Sequence, residues 1–452
     1  MPRGAAGLHD LGGGVLAATG ASTFGPMAST VQPPRGMRDF LPDDKARREG
    51  VLAVIRQAFA AYGYREIETP VLEELSRLES SQGGDNEKLI FRVLRRGLDP
   101  HDPLPPAKAA DLGLRYDLTV PLARLYATHR GELPEVFRAI QVAPVWRAER
   151  PQRGRYRQFT QCDIDVLGEA GTVAEVELIA ATADALERLG VQGATVRLND
   201  RSVLAAMLDA CGVAADQQPA ALVSIDKLDK VGLDGVAAEL SANGVGAGVV
   251  DRLVSVLVGV ADAAGDLEAT LAALPTRAGE RAVRVLAIRD GVTVAKPGAA
   301  VVVDPTLVRG MGYYTGPIFE VHHPAFRGGS IGGGGRYDGM VGRFAGTDVP
   351  ACGFSLGFER VVELVDAARF RSARRQVALV HTGDVDPGTL VAWQRRLIAV
   401  GADVRLVPRK RNVARTLEAL RREGFEEWAE LDARTRPPAT SGPAGLDLRD
   451  LR

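Results

Sequence analysis

VWRAERPQRGRYRQFTQCDID, residues 145–165, carries the densest chemistry in the chain. Five arginines (Arg147, Arg150, Arg153, Arg155 and Arg157) fall within eleven residues, and Glu149 is the only acid among them. A charge run is ordinarily a solvated face. Here Trp146, Tyr156 and Phe159 are interleaved with it, and Pro151 with Gly154 marks a loop between two strands. An arginine on a strand beside such a loop can clamp a phosphate with two parallel hydrogen bonds, and a loop arginine can stack on a base. The segment therefore predicts a phosphate site on two strands joined by a loop.

Four other segments stand out. In LVRGMGYYTGPIFEV (307–321), Arg309 lies between an apolar run and the pair Tyr313–Tyr314, where an arginine needs an anion: a ligand, or a core carboxylate. SIGGGGRYDGMVGRF (330–344) places four successive glycines in a strand, so another backbone or a ligand approaches closely; neither a GK[ST] ending nor GxGxxG spacing is present. ACGFSLGFERVVEL (351–364) reads as a glycine-punctuated strand turning into a helix that carries Arg360. In LRYDLTVPLAR (114–124), Asp117 and Thr119 share a strand face by the period of two and could receive an ammonium group, or else they cap a helix. His322 and His323 point to opposite faces of a strand and cannot easily share an ion.

The rest of the chain sets the frame. At 452 residues, with roughly 150 per domain as a prior, two to four domains are expected. The hydrophobic share of 46% supplies a sizeable core, and a net charge of −1 excludes a generic nucleic-acid binder, so any such surface must come from local segregation of charge. Three separated cysteines (Cys162, Cys211, Cys352) argue against a disulfide framework and a structural zinc site, and fit a reducing, cytoplasmic compartment. No apolar run is long enough for a membrane helix.

Residues 1–31 read as a disordered extension, and Met27 offers a second start; the GxGxxA match at Gly12 has no preceding strand. A helix follows Asp43 and Asp44 and stops at Gly63. GYREIETPVLEE is an alternating strand broken by Pro70, Thr172 and Glu175 form a capping box, and a closing helix runs near 353–368. Residues 201–295 read as a helical insertion, and 376–452 as a small α/β domain with a loose end after Arg434. Between Arg405 and Arg422, seven basic residues face one acid, Glu418, a candidate contact for phosphates.

In this order the segments resemble the class II aminoacyl-tRNA synthetases, and within them the histidyl-tRNA synthetases. GYREIETPVLEE is similar to motif 1, WRAERPQRGRYRQF to motif 2 and GFSLGFER to motif 3, while LVRGMGYYTG and GGGGRYDG resemble the two signatures peculiar to the histidyl enzymes. The resemblance implies an α+β fold: an antiparallel sheet flanked by helices (32–200 and 296–370), with the helical insertion and a shortened anticodon-binding-like C-terminal domain. It implies activation of L-histidine with ATP and Mg²⁺, transfer to tRNA(His), and a homodimer built through the Pro70 region.

By the same resemblance, Arg147 and Arg309 hold the α-phosphate, Arg155 seats the nucleotide and Arg360 reaches the γ-phosphate. Asp117, Thr119 and Gln161 take the amino-acid end of histidine; Asp165 and Tyr314 read the ring nitrogens; Tyr313 and Tyr337 wall the pocket. Gly312 stands where many family members have an acid. Two other functions compete: a catalytically silent histidine-binding regulatory paralogue, a type that tends to lose the phosphate-binding arginines kept here, and an activator that loads an acceptor other than tRNA.

Overall fold

Along residues 158–167 Cys162, Ile164 and Val166 are buried on one face of a strand, and Gln161, Asp163 and Asp165 occupy the other, as the period of two requires. That strand lies inside a large sheet of a computed structural model that describes residues 31–80, 89–98, 109–151, 154–263, 265–308, 313–326, 329–370, 374–438 and 446–451. Arg153, Arg309, Gly312 and, save for Val31, the N-terminal extension lie outside the described residues.

The strands are β1 (Arg65–Glu66), β2 (Leu72–Glu74), β3 (Phe91–Leu94), β4 (Ala110–Leu114), β5 (Phe137–Trp146) and β6 (Gln158–Leu167). They continue as β7 (Thr195–Asp200), β8 (Ala300–Val303), β9 (Pro317–His322), β10 (Ser330–Arg336) and β11 (Ala351–Gly357). Eight of them form one sheet in the order β1-β5-β6-β11-β10-β9-β7-β8. Its centre, from β5 to β7, is antiparallel; β1 and β8 join the two margins in parallel. A small antiparallel sheet, β2-β4-β3, stands beside it. Pro70 separates β1 from β2, so motif 1 is two short strands in different sheets rather than one interrupted strand.

Helices α1 (Pro42–Ala61), α2 (Leu75–Ser80), α3 (Thr119–His129) and α4 (Val173–Arg188) accompany this part of the chain. The apolar stripe of α1 (Val51, Ile55, Ala58, Phe59) and that of α4 (Leu178, Ile179, Ala185) pack with Cys162, Phe319, Phe354 and Leu356 from one face of the large sheet. Helix α1 ends at Ala61 with Tyr62 as its C-cap, and Gly63 adopts φ 84°, a conformation that favours glycine. The helical stretch α5 (Arg201–Cys211), α6 (Gln218–Ile225), α7 (Leu228–Ala242), α8 (Ala247–Asp262), α9 (Leu267–Ala273), α10 (Thr276–Arg281) and α11 (Val283–Ala295) follows β7. Apolar residues of this stretch, Leu204, Leu253 and Ala278 among them, share a second buried cluster with α3 and with Tyr313, Tyr314 and Tyr337. The chain returns through β8–β10, α12 (Asp338–Ala345), β11 and α13 (Phe358–Leu364).

Four local readings change. LRYDLTVPLAR is not a strand beyond Leu114: Thr119 opens α3, and the Asp117 carboxylate accepts from the Val120 amide at 3.3 Å, because a side-chain acceptor satisfies a helix-terminal N–H that has no helical partner. The Thr172–Glu175 capping box is absent, since Thr172 caps nothing through its side chain and Glu175 is fully buried against Arg336. The closing helix begins at Phe358, not near 353, because strand pairing to β6 and β10 holds the chain extended to Gly357. The C-terminal sheet, β12 (Arg375–His381), β13 (Ala402–Pro408), β14 (Glu427–Leu431) and β15 (Arg449–Asp450), runs β13-β12-β14-β15 with helices α14 (Pro387–Ala399) and α15 (Val413–Arg422). EWAEL at 427–431 is a strand that sequence reading passed over, and the end of the chain returns to pair with it antiparallel.

The four glycines of β10 divide by face. Gly332 and Gly334 lie opposite core residues, and Phe319 and Phe354, which flank Gly334 on β9 and β11, stack over it with centroids 5.5 Å apart and planes parallel within 1°. A Cβ at Gly334 would strike the Gly353 carbonyl and lie 2.7 Å from the Phe354 Cα. Gly334→Ala is therefore expected to destabilise the large sheet by about 1–3 kcal/mol through overpacking; an unaltered urea midpoint would contradict this packing.

Candidate active site

The face of the large sheet opposite α1 and α4 holds a cavity of about 550 Å³ lined by Arg147, Arg155, Phe159, Gln161, Glu320, Ser355 and Arg360. Its floor is largely backbone, because Gly333 and Gly357 carry no side chain into it. Strand β5 ends at Trp146 and delivers Arg147 to one wall, where its guanidinium lies 5.0 Å from the Phe159 ring and its Nε donates to the Tyr116 carbonyl at 3.0 Å. Arg155 follows Gly154, which adopts φ 74° in the loop, and pairs weakly with Glu149 at 3.5 Å. Arg360, from the first turn of α13, donates to the Ser330 carbonyl and lies 5.7 Å from the Phe326 ring.

Burial and then the neighbouring Arg155 guanidinium lower the pKa of Arg360 from its ordinary value. Two guanidiniums that disfavour each other's charge gain from an anion between them. Glu359, one residue earlier, also borders the cavity. Burial alone would raise its pKa, but Arg48 holds it bidentately at 2.7 and 2.8 Å, Arg38 also pairs with it, and the carboxyl stays below the usual range. That anchor fixes the helix start from which Arg360 projects.

Beyond Gln161 the charge reverses. Asp117, Asp163 and Asp165 are all buried, with relative exposures of 3–4%. Burial raises the pKa of each; Asp165, opposed by a Tyr337 hydrogen bond at 2.6 Å and aided by Asp117, is pushed up to about 7. Tyr313, Tyr314 and Tyr337 enclose this acid group: the Tyr313 and Tyr314 rings are 4.5 Å apart, and Tyr313 meets Tyr337 edge-on at 6.1 Å. Gly335 makes room for Tyr314, whose Cδ1 lies 2.9 Å from where a Cβ would stand, and Gly353 makes room for the Asp165 carboxylate. Gln161 joins the two compartments, lining the cavity while donating to Ser355 Oγ at 3.0 Å; its carbonyl oxygen is buried without a partner.

The predicted residues thus fall in two adjoining groups. Arg147, Arg155, Gln161 and Arg360 line the cavity; Asp117, Asp165, Tyr313, Tyr314 and Tyr337 form or border the acid pocket; Thr119 is the first residue of α3, two positions after Asp117. Sequence reading missed Asp163, Glu320 and Ser355. Asp163 and Ser355 were legible as the alternate positions beside Gln161, Asp165 and Gly353. The α6–α7 corner, whose Asp226, Asp229 and Lys230 also line the cavity, carried no such signal. His322 contacts Arg197 at 3.2 Å and His323 the Gln192 carbonyl at 2.8 Å, and no group of three metal-binding side chains occurs among the described residues.

An antiparallel sheet with arginines over a glycine floor is the catalytic fold of a class II aminoacyl-tRNA synthetase. Residues 36–361 match the family described as histidyl-tRNA synthetase. A histidine–tRNA ligase of Leifsonia xyli subsp. xyli is 51% identical over 94% of this chain and 99% of its own, and a probable histidine–tRNA ligase of Tropheryma whipplei is 40% identical over 90% and 97%. The crystal structure of histidyl-tRNA synthetase from Nostoc sp. PCC 7120 superposes with a TM-score of 0.70 at 27% identity, covering 90% of this chain and 93% of that one. The chain belongs to the histidyl-tRNA synthetase family.

The raised pKa of Asp165 fixes the sign of a pH effect. An unfolded aspartate loses its proton near pH 4, whereas the folded one keeps it to about 7, so this group's contribution to stability falls as pH rises between those values. Without ligand, Asp165→Asn is expected to melt at least ~2 °C above the wild type at pH 8, with the gap closing toward pH 4. A pH-independent difference measured by calorimetry would contradict the assignment.

Proposed function

We propose that this chain is a histidine–tRNA ligase that forms histidyl-adenylate from L-histidine and ATP and then esterifies tRNA(His). The reading rests on one observation above others, the position of Arg147. It lines the nucleotide cavity, yet it lies close enough to Asp117 and Asp163 to oppose the rise in their pKa. A carboxylate held on the acid side and an α-phosphate held on the arginine side would meet beside it.

Activation needs no general base, because the histidine carboxylate is already ionised. Its oxygen bonds to the α-phosphorus, the bond to the bridging oxygen breaks, and diphosphate leaves. Catalysis then consists of positioning and of positive charge around the phosphoryl oxygens. Arg147 and Arg309 serve the α-phosphate, Arg155 and Arg360 the outer part of the nucleotide. Asp117, Thr119 and Gln161 receive the ammonium group; Asp165 and Tyr314 hydrogen-bond the ring nitrogens, with Tyr313 and Tyr337 as walls. Polar groups at both nitrogens discriminate strongly, since an isostere lacking one leaves a buried partner unpaired. In the second step a terminal ribose hydroxyl of the tRNA attacks the carbonyl carbon, and AMP leaves.

ATP enters as its Mg²⁺ complex. A hard cation that travels with phosphates needs only one or two carboxylates, and Glu149 and Glu320 line the cavity. The protein acts in the cytoplasm as a homodimer joined through the Pro70 region. In the C-terminal domain Arg405, Arg409 and Arg422 pair with Glu423, Glu430 and Glu418, so the basic run is more neutralised than its sequence suggests. Lys410, Arg411, Arg415 and Arg421 remain exposed as the residues that would meet tRNA phosphates.

Diphosphate–ATP exchange against each of the twenty amino acids tests the reading: histidine alone should support it, and no histidine-dependent exchange would refute it. Charging of total tRNA then tests the acceptor. Arg309→Ala should lower the exchange rate by at least ~10² with the fold intact; an unchanged rate would refute its role.

A further inference from the structure

Arg336 and Glu175 form the most deeply buried ion pair among the described residues, with side-chain exposures of 1% and 0%. Arg336 Nε and Nη2 donate to the two Glu175 oxygens at 2.7 and 2.8 Å. Two apolar side chains could fill such a site at no loss, and often at a gain, because burying charge is costly. What an apolar pair cannot do is hold several backbone segments in fixed directions.

Arg336 does so. Its Nη1 and Nη2 also donate to the carbonyls of Glu169 and Gly171, at 3.0 and 2.9 Å, in the turn that follows the Asp165 strand. Its own carbonyl accepts from the Thr315 amide at 2.8 Å, next to Tyr313 and Tyr314, and its Cδ packs against Gly316, 3.4 Å from where a Cβ would stand. The next residue is Tyr337, whose amide donates to the Ala351 carbonyl at 2.7 Å and whose hydroxyl reaches Asp165. Residue 336, on the core side of the sheet, is therefore tied through its side chain to the turn after the Asp165 strand, through its carbonyl to the Thr315 turn, and through the chain to Tyr337.

We propose that the Arg336–Glu175 pair is a positioning device for imidazole recognition, holding Asp165, Tyr337 and the Tyr313–Tyr314 turn in mutual register. This rests on the reading of that pocket as the histidine site. The pair does not touch the nucleotide cavity lining, so its loss should separate the two substrates: histidine binding loosens while ATP binding stays. A purely structural role would lower the melting temperature and leave the two KM values in proportion.

The test is exchange kinetics on the full-length protein, with wild type measured first; absence of histidine-dependent exchange there would refute the pocket reading itself, separately from this proposal. The paired variant Glu175→Leu with Arg336→Met removes both charges. It should raise the KM for histidine at least ~10-fold, keep the KM for ATP within about twofold, and lose preference for histidine over β-(2-thienyl)alanine, a similar five-membered ring without nitrogen. Arg336→Lys keeps a charge on Glu175 but cannot reach both turn carbonyls, and should show a smaller rise of about threefold or more. A folded paired variant with wild-type histidine KM and preference would overturn the proposal. Should that variant not fold, an unchanged histidine KM in Arg336→Lys would overturn it equally.

Discussion

The site depends on a close approach: the Asp165 carboxylate occupies the space that a Cβ on residue 353 would fill. Strand β11 must be bare there for β6 to turn an acid toward its neighbour, and β10 must be bare at Gly335 for Tyr314 to lie against it. Glycine runs weaken a sheet, and this one is held by what surrounds it: the Phe319–Phe354 stack across Gly334, the helices of the opposite face, and the buried Arg336. Removal of side chains at chosen positions creates a floor on which ligand and buried charge can sit.

On that floor two fields of opposite sign adjoin. Arginines dominate the cavity, and three carboxylates strained toward neutrality dominate the pocket. Arg360 has its charge disfavoured by burial and by Arg155, and Asp165 by burial and by Asp117. Both would be relieved by a substrate pair in which one member is an anion and the other a zwitterion with a basic ring. Substrates of the proposed reaction would thus meet charges that burial disfavours, with Arg147 at the seam.

Sequence alone made much of this legible, for reasons that differ by residue. Arg147 stood out in an arginine-rich loop between two strands, a local signal, whereas Asp165 came only through the family resemblance, although β6 places it by the period of two. Asp117 was found, but its setting was misread: a D-x-T pair suits a strand face and a helix start equally, and only tertiary packing selects α3. Glu175 misled for the same reason, since its spacing from Thr172 fits a capping box while its partner Arg336 lies 161 residues away. Long-range partners leave no trace in local spacing. The basic run at 405–422 likewise looked unbalanced until Glu423 and Glu430 came beside it.

The central claim is that histidine is read by an acid seated over a glycine. Gly353→Ala tests it most directly, because the added methyl displaces the Asp165 carboxylate without altering any group that lines the arginine-rich cavity. Steady-state exchange should show kcat/KM for histidine reduced at least ~10-fold while the KM for ATP stays within about twofold. Wild-type kcat/KM for histidine in a folded Gly353→Ala protein would contradict the account.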